Sequence, residues 1–522
     1  MGPRERLALR YVLTAVFFLG VTGLEGMLMR LRLVGQLTSL YPPEHYYSMM
    51  SMHPFVGIYG WAYMAVMGAF YFLVPFVLKK DLYSERIPHL TYWTMTAGVL
   101  ITWLSGFFLD FAALYTLYWP LPVVRFPPFS VFVFSVGMLL IFASVLAFFF
   151  NMFATMFSKP GEKVKAGKVT KEWISSAFSL DRVRAKLKGT KGYVSKAYKA
   201  PVFTVGVFRG CVDTTINAVV MLGVAGTLAV FSLSALMGSA LSPTLVDPLW
   251  YKNVFWWGLD MIADGNVLIF TAATWYFLVP MLVNRRLYGE QVVRTVILAD
   301  LIVSLFVWNH HMLADPAQPI SLQIQGQIVT WGELITMGLT MFAVLATIWK
   351  ARPVKYGVPL AFVMASLMCY MIGGSAGILQ ANYALNRYLH NTQWVIGIHA
   401  HIQLLGGLTL TLFAAIYALA PILTGKEMNR RLAYGHLLLF TAGALVMGFS
   451  QGFAGVEGML RRTIYPGGDY NTYMWGAATG GMLMAAGFTL FLVNFLKTYG
   501  FGAVVAAFKK APASETPANA AD

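Results

Sequence analysis

Two histidines in one apolar stretch are the first residues that point to chemistry. His399 and His401 lie in a run that begins at Trp394 and continues to about Pro421. In a helix, residues i and i+2 point to nearly opposite faces at ~100° per residue. Imidazole is an axial ligand of haem iron, and an ionisable ring in lipid is costly unless it is used. The spacing predicts a flat cofactor on each side of one helix; the alternative is two histidines hydrogen-bonded to neighbouring helices.

A second pair, His310 and His311, lies at the end of another apolar stretch. Adjacent histidines at a helix end can bind one metal, and imidazole suits copper, iron and zinc. Taken alone, this pair is a weak motif. The two cysteines, Cys211 and Cys369, form no CxxCH sequence, which argues against a covalent c-type haem and a paired-cysteine metal cluster.

The elements that must position these residues are membrane helices. Of 522 residues, 58% are hydrophobic and 11% are charged, and the mean hydropathy is +0.64. A helical span needs ~20 apolar residues. We predict an all-α polytopic membrane protein, a single membrane domain with twelve transmembrane helices over roughly 11–496. The predicted spans are Tyr11–Met29, His53–Leu78, Leu90–Leu114, Phe129–Phe157, Thr214–Leu236, Asn253–Val283, Val292–Leu313, Ile328–Trp349, Pro359–Ala381, Trp394–Leu423, Leu432–Phe453 and Tyr473–Leu496.

Loops rich in lysine and arginine alternate along the chain with loops that contain few of them. This alternation predicts an orientation of the chain in the membrane. The basic set includes the connection 158–200, with twelve basic and three acidic residues, and the tail 497–522. The positive-inside rule places this set and both termini in the cytoplasm. The net charge of +16 is therefore no evidence for nucleic-acid binding. The connection either contacts anionic membrane lipid or is an ordinary cytoplasmic loop, and we expect the end of the tail to be disordered.

With this orientation, most of the candidate residues share one depth. The chain has nine histidines, and five of them fall in the outer half of the membrane together with two aspartates. These residues are His53, Asp260, Asp264, His310, His311, His399 and His401. Such clustering favours a functional site over isolated core histidines.

The pattern as a whole resembles subunit I of the haem–copper oxidase superfamily. The resemblance covers nearly the whole chain. Its motifs are His53 in span two, Trp308-Asn-His-His311 in span seven and His399-Ala-His401 in span ten, with Gly373-Gly-Ser-Ala-Gly377, His390-Asn-Thr-Gln-Trp394 and Gly458-Met-Leu-Arg-Arg462. The glycine-rich and Asn-Thr-x-Trp segments are most similar to the B-type oxidase branch. A prokaryotic inner (plasma) membrane location follows as an expectation.

The resemblance implies a role for each matching residue. It makes His53 and His401 the axial ligands of a low-spin haem and His399 the proximal ligand of a high-spin haem, both expected to be b-type. It makes His310 and His311 ligands of a non-haem metal that faces the high-spin haem. It also implies that Arg461 and Arg462 pair with haem propionates, for which their planar forks are suited.

Span six departs from the oxygen-reducing members of the superfamily. Those members resemble His-Pro-x-x-Tyr at this place, whereas this chain reads Trp256-Trp-Gly-Leu-Asp-Met-Ile-Ala-Asp-Gly265. Nitric oxide reductases resemble Trp-x-x-His-x-x-x-Glu-Gly, so Asp260 takes the place of the histidine and Asp264 that of the glutamate. The i, i+4 spacing puts both carboxylates on one face. We predict Asp260 as a metal ligand, with iron favoured over copper; the alternative is hydrogen bonding in a polar seam.

We therefore predict a nitric oxide reductase catalytic subunit that converts two NO, two electrons and two protons to N2O and water. Reduction of O2 takes four electrons, one of them thought to come from the tyrosine that is missing here. Among the carboxylates within spans, Asp264 and Glu333 are the predicted catalytic groups for protons, although Glu333 and Asp300 could equally be structural. The alternatives are a terminal oxygen reductase, an NO dismutase and, from another class, a non-redox transporter. Electrons would come from a cupredoxin-like or cytochrome c partner subunit or carrier, or from quinol.

Overall fold

The protein is built from long helices. A computed structural model describes residues 2–36, 42–164, 166–190, 197–465 and 468–509. Within this part of the chain none of the residues lies in a β-strand, and one isolated antiparallel bridge pairs Thr392 with Leu460. The long helices are α1 (Pro3–Leu33), α2 (Pro43–Leu78), α3 (Ile87–Phe108), α4 (Pro128–Phe157), α5 (Val202–Leu236), α6 (Pro248–Val283), α7 (Glu290–Met312), α8 (Ile320–Lys350), α9 (Val358–Leu379), α10 (Val395–Thr424), α11 (Arg430–Val456) and α12 (Asn471–Phe508).

Eleven of these helices, in the described residues, are long and apolar enough to cross a membrane. The exception is α3, which forms where span three was predicted but carries many aromatic and threonine side chains and is less apolar. The all-helical prediction is thus confirmed. Of the twelve predicted spans, eleven are confirmed as helices long and apolar enough to cross a membrane. Helix α12 runs past Lys497, where we predict the tail to begin, and contains a non-helical Gly500. The end of the tail, 510–522, lies outside the described residues.

Three helices form the centre of the bundle. The buried share of the most apolar window is 72% in α2, 67% in α6 and 78% in α10. In the other candidate spans of the described chain it is at most 56%. Each of the three contains a π-helical segment, namely Val56–Tyr63, Ala263–Phe270 and Val395–Thr409. π-helical turns occur frequently at functional sites. These are the helices that carry His53, Asp260, Asp264, His399 and His401.

Close contact between α5 and α6 depends on a glycine. A Cβ at Gly265 would lie 2.7 Å from Cγ2 of Thr214 and 3.1 Å from the carbonyl oxygen of Gly210. A larger residue would push the π-helical segment of α6 away from α5. The glycine therefore brings the polar residues of the two helices together.

The basic connection is folded against the first turns of α7. It contains two short helices, Lys171–Ala177 and Leu180–Leu187. Arg294 donates hydrogen bonds to the carbonyl oxygens of Ala177 at 3.0 Å and Ala200 at 2.7 Å, and its guanidinium lies 3.7 Å from the ring centroid of Tyr198. Arg294 thus ties the middle of the connection and its last residue to the bundle. Residues 165 and 191–196 lie outside the described part of the chain.

Candidate haem and metal sites

Three side chains converge where α6 meets the end of α7. Nε2 of His310 lies 3.1 Å from Nε2 of His311, and Nε2 of His311 lies 3.2 Å from Oδ1 of Asp260. One ligand atom from each of the three residues lies within 4.8 Å of the others. The sequence prediction named all three. Their convergence makes them a candidate metal site.

The surroundings of His310 fix which nitrogen faces this site. The Thr330 hydroxyl donates to the carbonyl oxygen of Gly326 at 2.6 Å, so its oxygen is left to accept from Nδ1 of His310, 3.1 Å away. Nε2 of His310 then carries a lone pair. Nε2 of His311, 3.1 Å away, is a favourable neighbour only where it carries a proton or where a cation lies between the two nitrogens. A metal cation satisfies both nitrogens and the carboxylate together, so the donor set fits such an ion.

The backbone of this site is held by neighbouring helices. Asn386 donates from Nδ2 to the carbonyl oxygen of His310 at 2.7 Å. The ring of His311 stacks on Trp256 with centroids 4.5 Å apart and planes at 22°. The stacked indole covers one face of the imidazole and keeps water from it. Both contacts restrict the motion of the two histidines.

His399 and His401 both present an available nitrogen. Nδ1 of His399 donates to the carbonyl oxygen of Gly373 at 2.9 Å, and Nδ1 of His401 donates to that of Ile396 at 2.7 Å. In a neutral imidazole the other nitrogen, Nε2, is then the acceptor. Hydrogen bonding of this kind orients histidines that bind metals. A Cβ at Gly377 would lie 2.5 Å from Cε1 of His399, so a glycine makes room for this ring.

The third histidine, His53, faces His401. Their ring centroids are 6.4 Å apart and the planes are tilted by 48°. Two nitrogen–metal bonds of about 2 Å each fit between imidazoles at this separation. Nδ1 of His53 lies 3.0 Å from the hydroxyl of Thr22. The two rings would thus be able to hold one iron between them, while His399 lies on a different face of α10.

One cavity of about 940 Å³ connects these groups. Its size is at the upper end of the range for cofactor and ligand sites. Its lining comes from α1, α2 and every long helix from α6 to α12. Among its lining residues are His53, His399, His401, His310, His311, Asp260, Asp264, Glu333, Arg461 and Arg462. The ten residues predicted as ligands, propionate partners or catalytic groups therefore border one space, large enough for planar cofactors.

Two arginines create a positive region at one end of this cavity. Arg461 is 8% exposed, donates from Nη2 to Oδ1 of Asn391 at 3.2 Å, and its Nε has no hydrogen-bond partner among the described residues. Burial alone would raise the pKa of Tyr115, but Arg462 and Arg461 beside it lower that pKa below its ordinary value. Burial lowers the pKa of Arg461 itself. An anionic group such as a propionate would relieve both effects, so the residues present fit that role.

Two of the predicted carboxylates, Asp264 and Glu333, line the same cavity as the candidate metal site. Asp264 is 3% exposed and its Oδ2 has no hydrogen-bond partner in the described chain. Glu333 is half-buried on α8. Asp300 of α7, 5% exposed, accepts a hydrogen bond from the hydroxyl of Thr336. Four α7 residues further on, Ser304 donates to the carbonyl oxygen of Asp300 at 2.9 Å.

A buried ion pair on α5 joins this group and was missed by the sequence prediction. Nη1 of Arg209 lies 2.9 Å from Oδ2 of Asp213, and both side chains are fully buried. Nη2 of Arg209 lies 3.4 Å from Oδ2 of Asp300, and Nη1 donates to the carbonyl oxygen of Asp264 at 3.2 Å. The i, i+4 spacing of Arg209 and Asp213 was the available signal. One arginine thus fixes carboxylates or backbone on three helices.

The fold and the clustered histidines point to a class: a membrane oxidoreductase of the haem–copper type. Residues 6–483 match the family model "Cytochrome C and Quinol oxidase polypeptide I". The chain belongs to this family, whose subunit I binds haems and a metal site. The predicted superfamily is confirmed, and the membership agrees with a polytopic membrane protein that takes part in electron transport.

Three relatives illustrate the likeness. The chain is 25% identical over 495 residues to a heme-copper oxidase subunit I+III of Aeropyrum pernix, covering 94% of this chain and 56% of that one. It is 24% identical over 481 residues to a cytochrome c oxidase polypeptide 1 of Halobacterium salinarum, covering 91% and 73%. It is 23% identical over 510 residues to a quinol oxidase subunit 1 of Bacillus subtilis, covering 95% and 72%. The chain therefore spans little more than half the length of the first of these proteins.

Proposed function

We propose that the protein is the catalytic subunit of a nitric oxide reductase. The observation that carries this proposal is the carboxylate of Asp260, 3.2 Å from Nε2 of His311. A carboxylate in the third ligand position gives an N, N, O donor set. Hard oxygen donors favour iron over copper in such a set. We propose Asp260, His310 and His311 as the ligands of that ion.

The sequence of α6 supports the same proposal. Between Phe255 and Phe270 it contains no histidine and no tyrosine. The tyrosine that is thought to supply one of the four electrons for O2 reduction is therefore absent from this stretch of α6. Reduction of two NO molecules takes only two electrons. The pattern Trp257-x-x-Asp260-x-x-x-Asp264-Gly265 is closest in form to that of the nitric oxide reductases.

Each group of residues would have its own role in the reaction. When bound, the two haems and the non-haem metal supply the electron transfer and the reduction of NO to N2O. His53 and His401 would hold the low-spin haem, and His399 the high-spin haem. Trp256 covers the imidazole of His311 and limits access of water to it. Arg461 and Arg462 would bind the haem propionates through charge-assisted hydrogen bonds.

Protons are the remaining requirement, since each N2O formed consumes two. Asp264 and Glu333 border the cavity, and this position supports a role in passing protons to it. Asp300 and Arg209 lie behind them, and the arginine compensates one of the negative charges. A carboxyl group that gives up a proton in a buried site needs such compensation. We propose Asp264 as the group that transfers protons beside the metal.

A second candidate is a terminal oxygen reductase with an altered metal site. It is favoured by the names of two relatives, a cytochrome c oxidase and a quinol oxidase. The same names support electron delivery by cytochrome c or by quinol. We propose b-type haems, cytoplasmic termini and a metal site in the outer half of the membrane on the grounds given by the sequence.

Consumption of NO and of O2, measured on one preparation with the same electron donor, tests the proposal. We expect NO to be consumed with formation of one N2O for every two NO, and O2 consumption to be slower by at least tenfold. An oxygen-consuming protein that forms no N2O would contradict the proposal and favour the second candidate. Haem bands in the reduced-minus-oxidised spectrum must be present in the same preparation.

A further inference from the structure

The indole of Trp256 lies between the candidate metal site and the connection that joins α3 to α4. One face of the indole stacks on the imidazole of His311, with centroids 4.5 Å apart and planes at 22°. Its Nε1 donates a hydrogen bond to the hydroxyl oxygen of Tyr118 at 3.0 Å. Trp256 is buried and borders the cavity. The indole therefore has two fixed contacts, one on its face and one at its nitrogen.

Tyr118 belongs to the connection between α3 and α4, which is held in place on both sides of this residue. Before it, the backbone N–H of Leu114 donates to the hydroxyl of Ser51 on α2 at 2.8 Å. After it, Nε1 of Trp119 donates to the carbonyl oxygen of Pro243 at 2.9 Å. These two bonds anchor the connection to α2 and to the segment that precedes α6.

The backbone beside Tyr118 and the cations around its ring indicate that the phenol has a defined position. Leu117 has a φ of 44°, a left-handed conformation that a leucine rarely adopts. Such strained residues persist only where the surrounding structure requires them. Nζ of Lys252 and the guanidinium carbon of Arg462 lie 5.0 and 5.9 Å from the ring centroid of Tyr118, within the range of cation–π contacts. Lys252 and Trp256, four residues apart on α6, thus contact the same tyrosine.

We propose that Tyr118 is a positioning residue, which holds the indole of Trp256 against His311 and thereby strengthens metal binding at the candidate metal site. The inference rests on His311 as one of the proposed metal ligands. The cation–π contacts need only an aromatic face, whereas the bond to the indole needs the hydroxyl oxygen. Without this acceptor the buried indole N–H would lose its partner, and the ring would be free to turn away from the imidazole.

The test is metal retention by the purified holoprotein carrying Tyr118→Phe, measured against increasing chelator while both haems are counted by absorbance. Phenylalanine keeps the aromatic face and loses only the hydroxyl. Groups behind a metal ligand change metal affinity by about 10–100-fold, so we expect half of the non-haem metal to be lost at a chelator concentration about tenfold lower than in the wild type. Equal retention in Tyr118→Phe and the wild type overturns the inference.

A matched control removes a tyrosine hydroxyl elsewhere. In the first turns of α11, the hydroxyl of Tyr434 donates to the carbonyl oxygen of Tyr356 at 3.2 Å. Tyr434→Phe should leave metal retention unchanged. A loss of metal equal to that in Tyr118→Phe would show a general effect of losing a hydroxyl, and would overturn the inference.

A second substitution separates positioning through the indole from a general loss of stability. Trp256→Phe keeps an aromatic ring beside His311 but has no N–H to donate. In this background Tyr118→Phe should change metal retention by less than about twofold, because the group through which the tyrosine acts is gone. The same loss of metal in both backgrounds would show that the two residues act independently, and would overturn the inference.

The indole gives a readout that needs neither NO nor O2. The ultraviolet resonance Raman difference between the wild type and Tyr118→Phe should show one tryptophan whose N–H has lost its hydrogen bond. An unchanged tryptophan signal overturns the inference. A wild type that retains no non-haem metal would overturn both the metal assignment and the inference, whereas a retained metal without NO reduction would overturn only the proposed function.

Discussion

Oδ1 of Asp260 lies 3.2 Å from Nε2 of His311, although the two residues are on different helices and 51 positions apart in the chain. This contact joins α6 to the end of α7. The histidine of the pair is held by stacking on Trp256, which itself belongs to α6. The candidate metal site is thus assembled by the packing of two helices. Its geometry should respond to residues that touch neither the metal nor the substrate.

Thr330 provides the first such case. We expect Thr330→Val to weaken binding of the non-haem metal by about 10–100-fold, because Nδ1–H of His310 loses its acceptor and the ring loses its orientation. The measurement is metal retained against increasing chelator, with both haems counted by absorbance. Thr227→Val, which removes a hydroxyl bonded to Gly223 of its own helix, should leave metal retention unchanged. Equal retention in both variants would argue against the proposed orientation.

The two faces of α10 give the second prediction. His401→Ala or His53→Ala should remove the low-spin haem spectrum and leave the high-spin haem largely present. His399→Ala should do the reverse, because its ring bonds Gly373 on α9 and is not paired with His53. Electronic absorption and electron paramagnetic resonance spectra distinguish the two haems. Loss of both signals from each single change, in folded protein, would show that the histidines serve one haem.

The buried arginine leads to a prediction on stability and turnover. Arg209→Met leaves the carboxylates of Asp213 and Asp300 without their partner, and breaking a buried pair costs about 3–5 kcal/mol. We expect a lower melting temperature and a lower kcat with both haems retained. Arg209→Lys should recover part of both properties. A double change, Arg209→Met with Asp213→Asn, should be more stable than Arg209→Met alone, and a less stable double variant would refute the pairing.

Orientation can be tested with single cysteines. The native Cys211 and Cys369 are buried, so background labelling should be low. A cysteine in place of Lys188, in the basic connection, should react only with reagent on the cytoplasmic side. A cysteine in place of Asp469 should react only from outside; its neighbour Gly467 lies outside the described residues. The reverse pattern would invert the topology given by the positive-inside rule.

Much of the site could be read from the sequence because most of its residues are polar side chains in strongly apolar helices. The apolar run around His399 and His401 fixed both the helix and the opposite directions of the two rings. The pair His310–His311 and the pair Asp260–Asp264 were each visible as polar residues in apolar stretches. What the sequence could not provide was the acceptor of each Nδ1–H. Those acceptors are carbonyl groups and hydroxyls, such as Gly373 and Thr330, which any sequence contains in large number.

The main omission of the sequence prediction was the buried ion pair of Arg209 and Asp213. Span five was predicted to begin at Thr214, because Arg209 and Asp213 interrupt the apolar stretch. In the structure, α5 begins at Val202 and the two charges neutralise each other inside it. The π-helical turns were equally hidden, since they arise from packing between helices. Helix α3 was predicted from a stretch that proves less apolar than its neighbours.

The metal content and NO reduction of Asp260→Asn test the central claim most directly. An asparagine keeps the shape but loses the anionic oxygen that we propose as the third ligand. We expect the variant to lose its non-haem metal and its NO reduction while both haems remain. Asp264→Asn should keep most of the metal and mainly slow turnover, and Asp260→His should bind metal again, with copper competing better. Full metal occupancy and unchanged NO reduction in Asp260→Asn would contradict the assignment and the nitric oxide reductase proposal built on it.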